Sequence, residues 1–183
     1  MNWRRRLASL VAAMLMSACA VAPKGGDDLG GETLSGRLAV RVDASAATPA
    51  QSVSAAFELR GDAGRGRLDL STPLGSVFAQ ARWAPGSVLL VTPQGDTRFD
   101  DLDALTRAVL GESLPIAALF DWLRGRPWSG AASTPSVAPA EPGFEQLGWV
   151  VNLARFDEAQ VAARRERAPA VTVRAKLDRK SVV

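Results

Sequence analysis

TRFDDLDALTRAVLGESLPIAALFDWLRG, residues 97–125, is where the chain leaves an apolar period of two for a period of 3.6. Leu102, Leu105 and Val109 fall on one helical face behind a cap at Asp100 or Asp101, and Gly111 ends that helix. A second helix starts near Ser113 or Leu114 and takes Pro115 in its first turn. It sets Ile116, Leu119, Phe120 and Leu123 at i, i+3, i+4 and i+7, and Gly125 stands where a C-terminal glycine cap belongs. Asp100, Asp101 and Asp103 read as capping groups at the positive end of a helix dipole rather than as a carboxylate site.

Upstream, strands succeed one another. Leu38, Val40 and Val42 alternate with Arg37, Ala39 and Arg41; after a polar loop over 43–51, Val53, Ala55, Phe57 and Leu59 alternate with smaller or polar residues. Gly61–Gly66 reads as a hairpin turn. Leu68 and Leu70 continue the pattern, then Val77, Ala79, Ala81 and Trp83, then Val88–Val91, with Thr97–Phe99 adding a little more. Downstream, residues 126–143 carry Pro127, Pro135, Pro139 and Pro142 and read as a long loop. Strands then return: Leu147, Trp149, Val151 and Leu153 share one face, and so do Val171, Val173, Ala175 and Leu177. Between them, residues 161–168 make a weak strand at best, because Arg164, Arg165, Glu166 and Arg167 interrupt it. Strands, two amphipathic helices, a loop and more strands define a mainly β (α+β) fold in which the helices cover one apolar face of an antiparallel sheet.

With 183 residues, 47% of them apolar, the chain can bury a core as one domain. It has no histidine, no tyrosine and one cysteine. Those absences exclude Ser-His-Asp and Cys-His catalysis, histidine-ligated metal sites and iron–sulfur clusters. No cofactor is expected, and an enzyme is not; a hydrolase with paired carboxylates finds no usable spacing. The net charge of +3 comes from Arg4, Arg5 and Arg6: without residues 1–18 the chain has nineteen charges of each sign. Nothing in that balance points to nucleic acid. Residues 161–183 hold seven basic residues against two acidic ones, a pattern read first as solvated strand faces and second as an attraction to anionic headgroups or to an acidic partner.

The three arginines precede a ten-residue apolar run, Leu7–Met16. Ten residues are too few to cross a bilayer, which takes roughly 20, but they suit a secretory signal. Met16-Ser17-Ala18-Cys19 follows and is similar to the lipobox of bacterial lipoproteins, with Cys19 as the lipid-attachment residue; the rival reading is an ordinary signal peptide with a chance cysteine. Residue 20 is alanine, not the aspartate that retains enterobacterial lipoproteins at the inner membrane. The chain thus divides into a signal peptide (1–18), a Gly- and Asp-rich tether after a lipidated cysteine (19–33) and a folded domain (34–183).

Between two strands, Thr72-Pro73-Leu74-Gly75 fits a type I turn and puts Leu74 at the corner. The leucine either folds back onto the core or stands out as an apolar finger. Here the chain resembles a family. LSGRLAVR at 34–41, RLDLSTPLG at 67–75, and Leu114-Pro115-Ile116 through WLRGRP at 122–127 are similar to the outer-membrane lipoproteins LolB.

The resemblance implies an incomplete antiparallel β-barrel with a lid of amphipathic helices over an apolar cavity. It implies a receptor, anchored by its N-terminal lipid to the periplasmic face of the outer membrane, that takes lipoproteins from a LolA-like periplasmic carrier. The receptor would hold their acyl chains and insert them into outer-membrane lipid, working as a monomer. Leu74, on the turn formed by Pro73 and Gly75, takes the role of the membrane-inserting leucine. The cavity would be lined by Phe57, Leu68, Leu70, Trp83, Leu102, Leu105, Ile116, Leu119, Phe120 and Leu123, although the same pattern suits a filled core. A structural or accessory envelope lipoprotein without a cavity is the alternative.

Overall fold

The computed structural model describes residues 33–46 and 49–178. Among the described residues, eleven strands form one antiparallel sheet. Their bounds are β1 Leu34–Val42, β2 Gln51–Gly61, β3 Gly66–Ser71, β4 Val77–Ala84, β5 Ser87–Thr92 and β6 Gly95–Phe99, then β7 Ser133–Pro135, β8 Gly143–Gln146, β9 Trp149–Asn152, β10 Gln160–Arg165 and β11 Val171–Leu177. The spatial order is β6-β5-β4-β3-β2-β1-β11-β10-β9-β8-β7, which is the chain order closed into a ring by the β1–β11 pairing. The ring is broken between β6 and β7. The two helices, α1 Leu102–Leu110 and α2 Ile116–Trp122, are inserted in the chain at that break. The fold is an incomplete antiparallel barrel with two helices against its apolar face.

Local chemistry places the helices. Asp101 caps α1 by accepting the Ala104 amide at 2.6 Å. Gly111 ends it in the left-handed conformation at φ 74°, where its amide donates to Arg107. Antiparallel pairing sorts the connections into two ends. At one, here the upper rim, lie the β1–β2, β3–β4, β5–β6, β8–β9 and β10–β11 connections. At the lower rim lie the β2–β3, β4–β5, β7–β8 and β9–β10 connections. The α1–α2 turn reaches the upper rim, where Glu112 pairs with Arg165 of β10 at 2.6 Å. Among the described residues no helix is long and apolar enough to cross a membrane.

Three expectations need correction. Residues 126–143 are not all loop: β7 and the start of β8 lie there. Proline hides β7, yet β7 is an exposed edge strand with one unpaired side, where Pro135 forfeits no ladder hydrogen bond. Leu147 does not share the inward face of Trp149; it is a turn residue at φ 54°, and the strand begins two residues later. Residues 160–165 form a full strand between β9 and β11, with Val161, Ala163 and Arg165 buried. An inward arginine is tolerated there because Glu112 neutralises it and the Pro169 carbonyl accepts from it.

Candidate functional site: an apolar cavity beneath the helices

Strands β1–β4 and β11 turn their inward residues toward α1 and α2 without filling the space between. A cavity of about 140 Å³ remains. Phe57, Leu68, Leu70 and Trp83 form its sheet wall. Leu102 and Leu105 of α1, with Ile116 and Leu119 of α2 and Leu123 just after it, form its roof. Phe120, expected among them, is not on the lining. It packs edge-on against Trp83, with ring centroids 5.7 Å apart, and backs the wall instead. Leu38, Val40, Val53 and Leu59 also line the space and were legible as the inward members of alternating strands. Val109 lines it too but is half exposed, so the helix face it shares with Leu105 reaches solvent at the cavity's margin.

Thr106 is the one polar side chain in the lining, and its hydrogen bonds are spent locally. Its hydroxyl donates to the Leu102 carbonyl at 3.1 Å and accepts from the Leu114 amide at 3.0 Å, tying the α1–α2 turn to α1. The cavity therefore offers a guest dispersion and water exclusion but no spare donor, acceptor or charge. Trp83 is held from outside, its indole N–H donating to the Asp62 carbonyl at 3.0 Å. The Asp62 carboxylate in turn accepts the Gly64 and Arg65 amides, and these two hydrogen bonds hold its pKa below the usual carboxylate range.

The β3–β4 hairpin carries Leu74 at the upper rim, 96% exposed. The Gly75 amide donates to the Thr72 carbonyl at 2.9 Å and closes the turn, with Gly75 at φ 87°. Leu74 thus belongs to no core. Cys19 lies outside the described residues.

Fold and cavity together define an incomplete β-barrel protein with an apolar chamber under a helical cover. A family model described as outer membrane lipoprotein LolB matches residues 33–177, almost the whole described domain. Relatives named outer-membrane lipoprotein LolB include one from Bordetella petrii, 37% identical over 164 residues, covering 85% of this chain and 81% of its own. One from Cupriavidus pinatubonensis is 34% identical and covers 89% and 83%; one from Chromobacterium violaceum is 30% identical and covers 82% and 83%. The chain belongs to the LolB family of outer-membrane lipoproteins.

Proposed function

We propose that this chain is an outer-membrane receptor for lipoproteins: it takes them from a LolA-like periplasmic carrier, holds their acyl chains beneath α1 and α2, and passes them into outer-membrane lipid. The observation that carries this reading is a cavity whose only polar side chain is already satisfied, in a member of this family. Such a site grips by apolar burial, at about 0.8 kcal/mol per methylene, and reads chain length rather than headgroup chemistry. Its volume sets a further condition. About 140 Å³ is close to the cavity that holds one benzene in engineered lysozyme, roughly 150 Å³, and acyl chains need far more. Uptake therefore requires the helices to move off the sheet, and the gap between β6 and β7 leaves them free of the strand ladder on that side. Transfer then follows differences in affinity for acyl chains between carrier, receptor and bilayer.

Cys19 is the anchor in this reading, with mass spectrometry of the mature N-terminus as its direct check. Leu74 is the group that enters the bilayer, where full burial of a leucine contributes roughly 1.5–3 kcal/mol. Leu74→Glu should leave stability within about 0.5 kcal/mol, as expected of an exposed position. It should still accept lipoprotein from the carrier and deliver markedly less to liposomes. Melting, acceptance and delivery measured on this one variant decide the matter. Normal delivery, or a failure already at acceptance, removes the proposed role.

A further inference from the structure

The β8–β9 hairpin turns through only two residues, Leu147 and Gly148, between the paired Gln146 and Trp149. Both have positive φ, 54° and 74°. Two-residue turns of this hand favour Asn-Gly because asparagine adopts left-handed backbone more readily than a bulky residue does. A leucine there is unfavourable for folding, and it is not repaid by full burial, since Leu147 remains 47% exposed. Three residues on, Val150 is also exposed, on the outer face opposite Arg164.

Beside the hairpin lies a cleft of about 370 Å³, bounded by the α1–α2 turn and the end of β10. Arg165, Arg167, Asp103 and Ser113 line it together with Leu147 and Trp149. The Arg165 side chain is only 7% exposed, sits over the Trp149 ring at 5.7 Å and is already paired with Glu112, with its Nε buried and without a partner. Arg167 is exposed and makes no ion pair among the described residues. The exposed Arg167 guanidinium and the Ser113 hydroxyl suit a phosphate, and the Asp103 carboxylate suits an ammonium. The cleft therefore matches a phospholipid headgroup, with apolar residues at its mouth. This hairpin opens on the same upper rim as Leu74, six strands away around the curved sheet.

We propose that the β8–β9 hairpin is a second membrane contact, in which Leu147 enters the headgroup layer of a phospholipid bilayer and the Arg165–Arg167 cleft beside it receives a headgroup. The proposal rests on the reading of Leu74 as a membrane finger. One apolar tip lets the domain pivot on the bilayer; two tips on opposite sides of the rim fix its tilt.

The test uses the full lipidated chain, whose single cysteine is occupied at Cys19 in this reading, so an introduced cysteine is the one free thiol. Leu74→Cys, Leu147→Cys and Val137→Cys are each labelled with an environment-sensitive fluorophore. Val137 is 79% exposed at the lower rim and serves as the water-facing control. On vesicles of phosphatidylethanolamine and phosphatidylglycerol, labels at 74 and 147 should shift to the blue and be quenched by lipid-borne quencher, and the label at 137 should not. A response at 74 without one at 147 overturns this proposal and leaves the Leu74 finger standing; silence at both overturns the finger as well. Leu147→Asn gives an independent reading: it should melt at the same or a higher temperature while delivering lipoprotein to the vesicles several-fold more slowly. A fall in melting temperature would make Leu147 a structural residue, and unchanged delivery would overturn its part in the membrane contact.

Discussion

The two halves of the interior are built differently. Under β1–β4 the sheet meets α1 across a void bordered by aliphatic side chains, Phe57 and Trp83. Under β8–β10 aromatic side chains pack on one another, and the space left there is the polar cleft lined by Trp149 and Arg165. Trp122 packs at an angle against Phe144 and Trp149, with centroids 6.4 and 6.0 Å away, and Arg165 lies over Trp149. Gln146 holds that half together. Its carbonyl oxygen accepts from the Trp122 indole at 2.8 Å and from the Trp128 amide at 2.9 Å, and its amide donates to the Trp128 and Ala131 carbonyls at 2.7 and 2.8 Å. Directional bonds in a dry interior allow one geometry; dispersion contacts around a void allow several. In the proposed function the filled half is the frame, and the hollow half is the part that changes volume.

The sharpest attack on this contrast is Gln146→Ala. It would orphan hydrogen-bonding groups on three residues, the buried Trp122 indole and the part-buried backbone of Trp128 and Ala131. It should destabilise the fold by about 3–5 kcal/mol, read from the urea midpoint, with each orphaned group costing roughly 1–3 kcal/mol less whatever water can repair. A loss below about 1 kcal/mol, within the ordinary worth of a single hydrogen bond, would show that the aromatic packing alone is the frame.

A pair of enlargements tests the same point at lower amplitude. Val151→Phe, at a site with no exposed surface, should cost about 1–3 kcal/mol through overpacking. Leu68→Phe, facing the cavity, should cost less than about 1 kcal/mol because the added volume has somewhere to go. It should also weaken binding of an apolar fluorescent probe by about tenfold, or roughly 1.4 kcal/mol. Equal stability losses would erase the distinction between the halves.

The smallest effect concerns the hollow half's wall, which Trp83 anchors through the Asp62 turn. Because Asp62 titrates lower folded than unfolded, its contribution is complete above the unfolded carboxylate pKa of about 3.9 and is lost as pH falls through the folded value. Thermal melts from pH 5 down to pH 3 should therefore show a slightly steeper decline for the parent than for Asp62→Asn, which keeps an acceptor but cannot titrate. Identical slopes would mean that the turn is held without the charge.

Legibility followed locality. The alternation in β1–β5 and β11, the Asp101 cap and the Gly111 stop are written within a few residues of where they act, and all could be read directly. Arg165 could not: the acid that allows it inward is Glu112, 53 positions away, and no local pattern reports it. The β7–β8 region was masked by its prolines, one of which stands on an edge where it does no harm. For Leu147 the available signal was Gly148, a glycine after an apolar residue at the point where strand alternation would otherwise continue. Nothing in the sequence separated hollow from filled, since both halves present apolar residues inward; Phe120, one position beyond the cavity-facing Leu119, ended up behind the wall because only the packed fold fixes which way each ring turns.

The seam between β1 and β11 has a consequence for how the molecule comes to exist. Gly36 pairs with Leu177, and the Asp178 amide donates to the Ser35 carbonyl at 2.9 Å, so residues from the two ends of the domain meet in the middle of the sheet. Synthesised N-terminus first, β1 can pair with β2 at once, but its other side stays bare until nearly the whole domain has followed. Contacts of such separation are formed late and slow folding. During that wait an unpaired edge is open to foreign strands. Losing the last strand would not trim the sheet at its border; it would split the sheet near its centre, into a six-stranded piece and a four-stranded one.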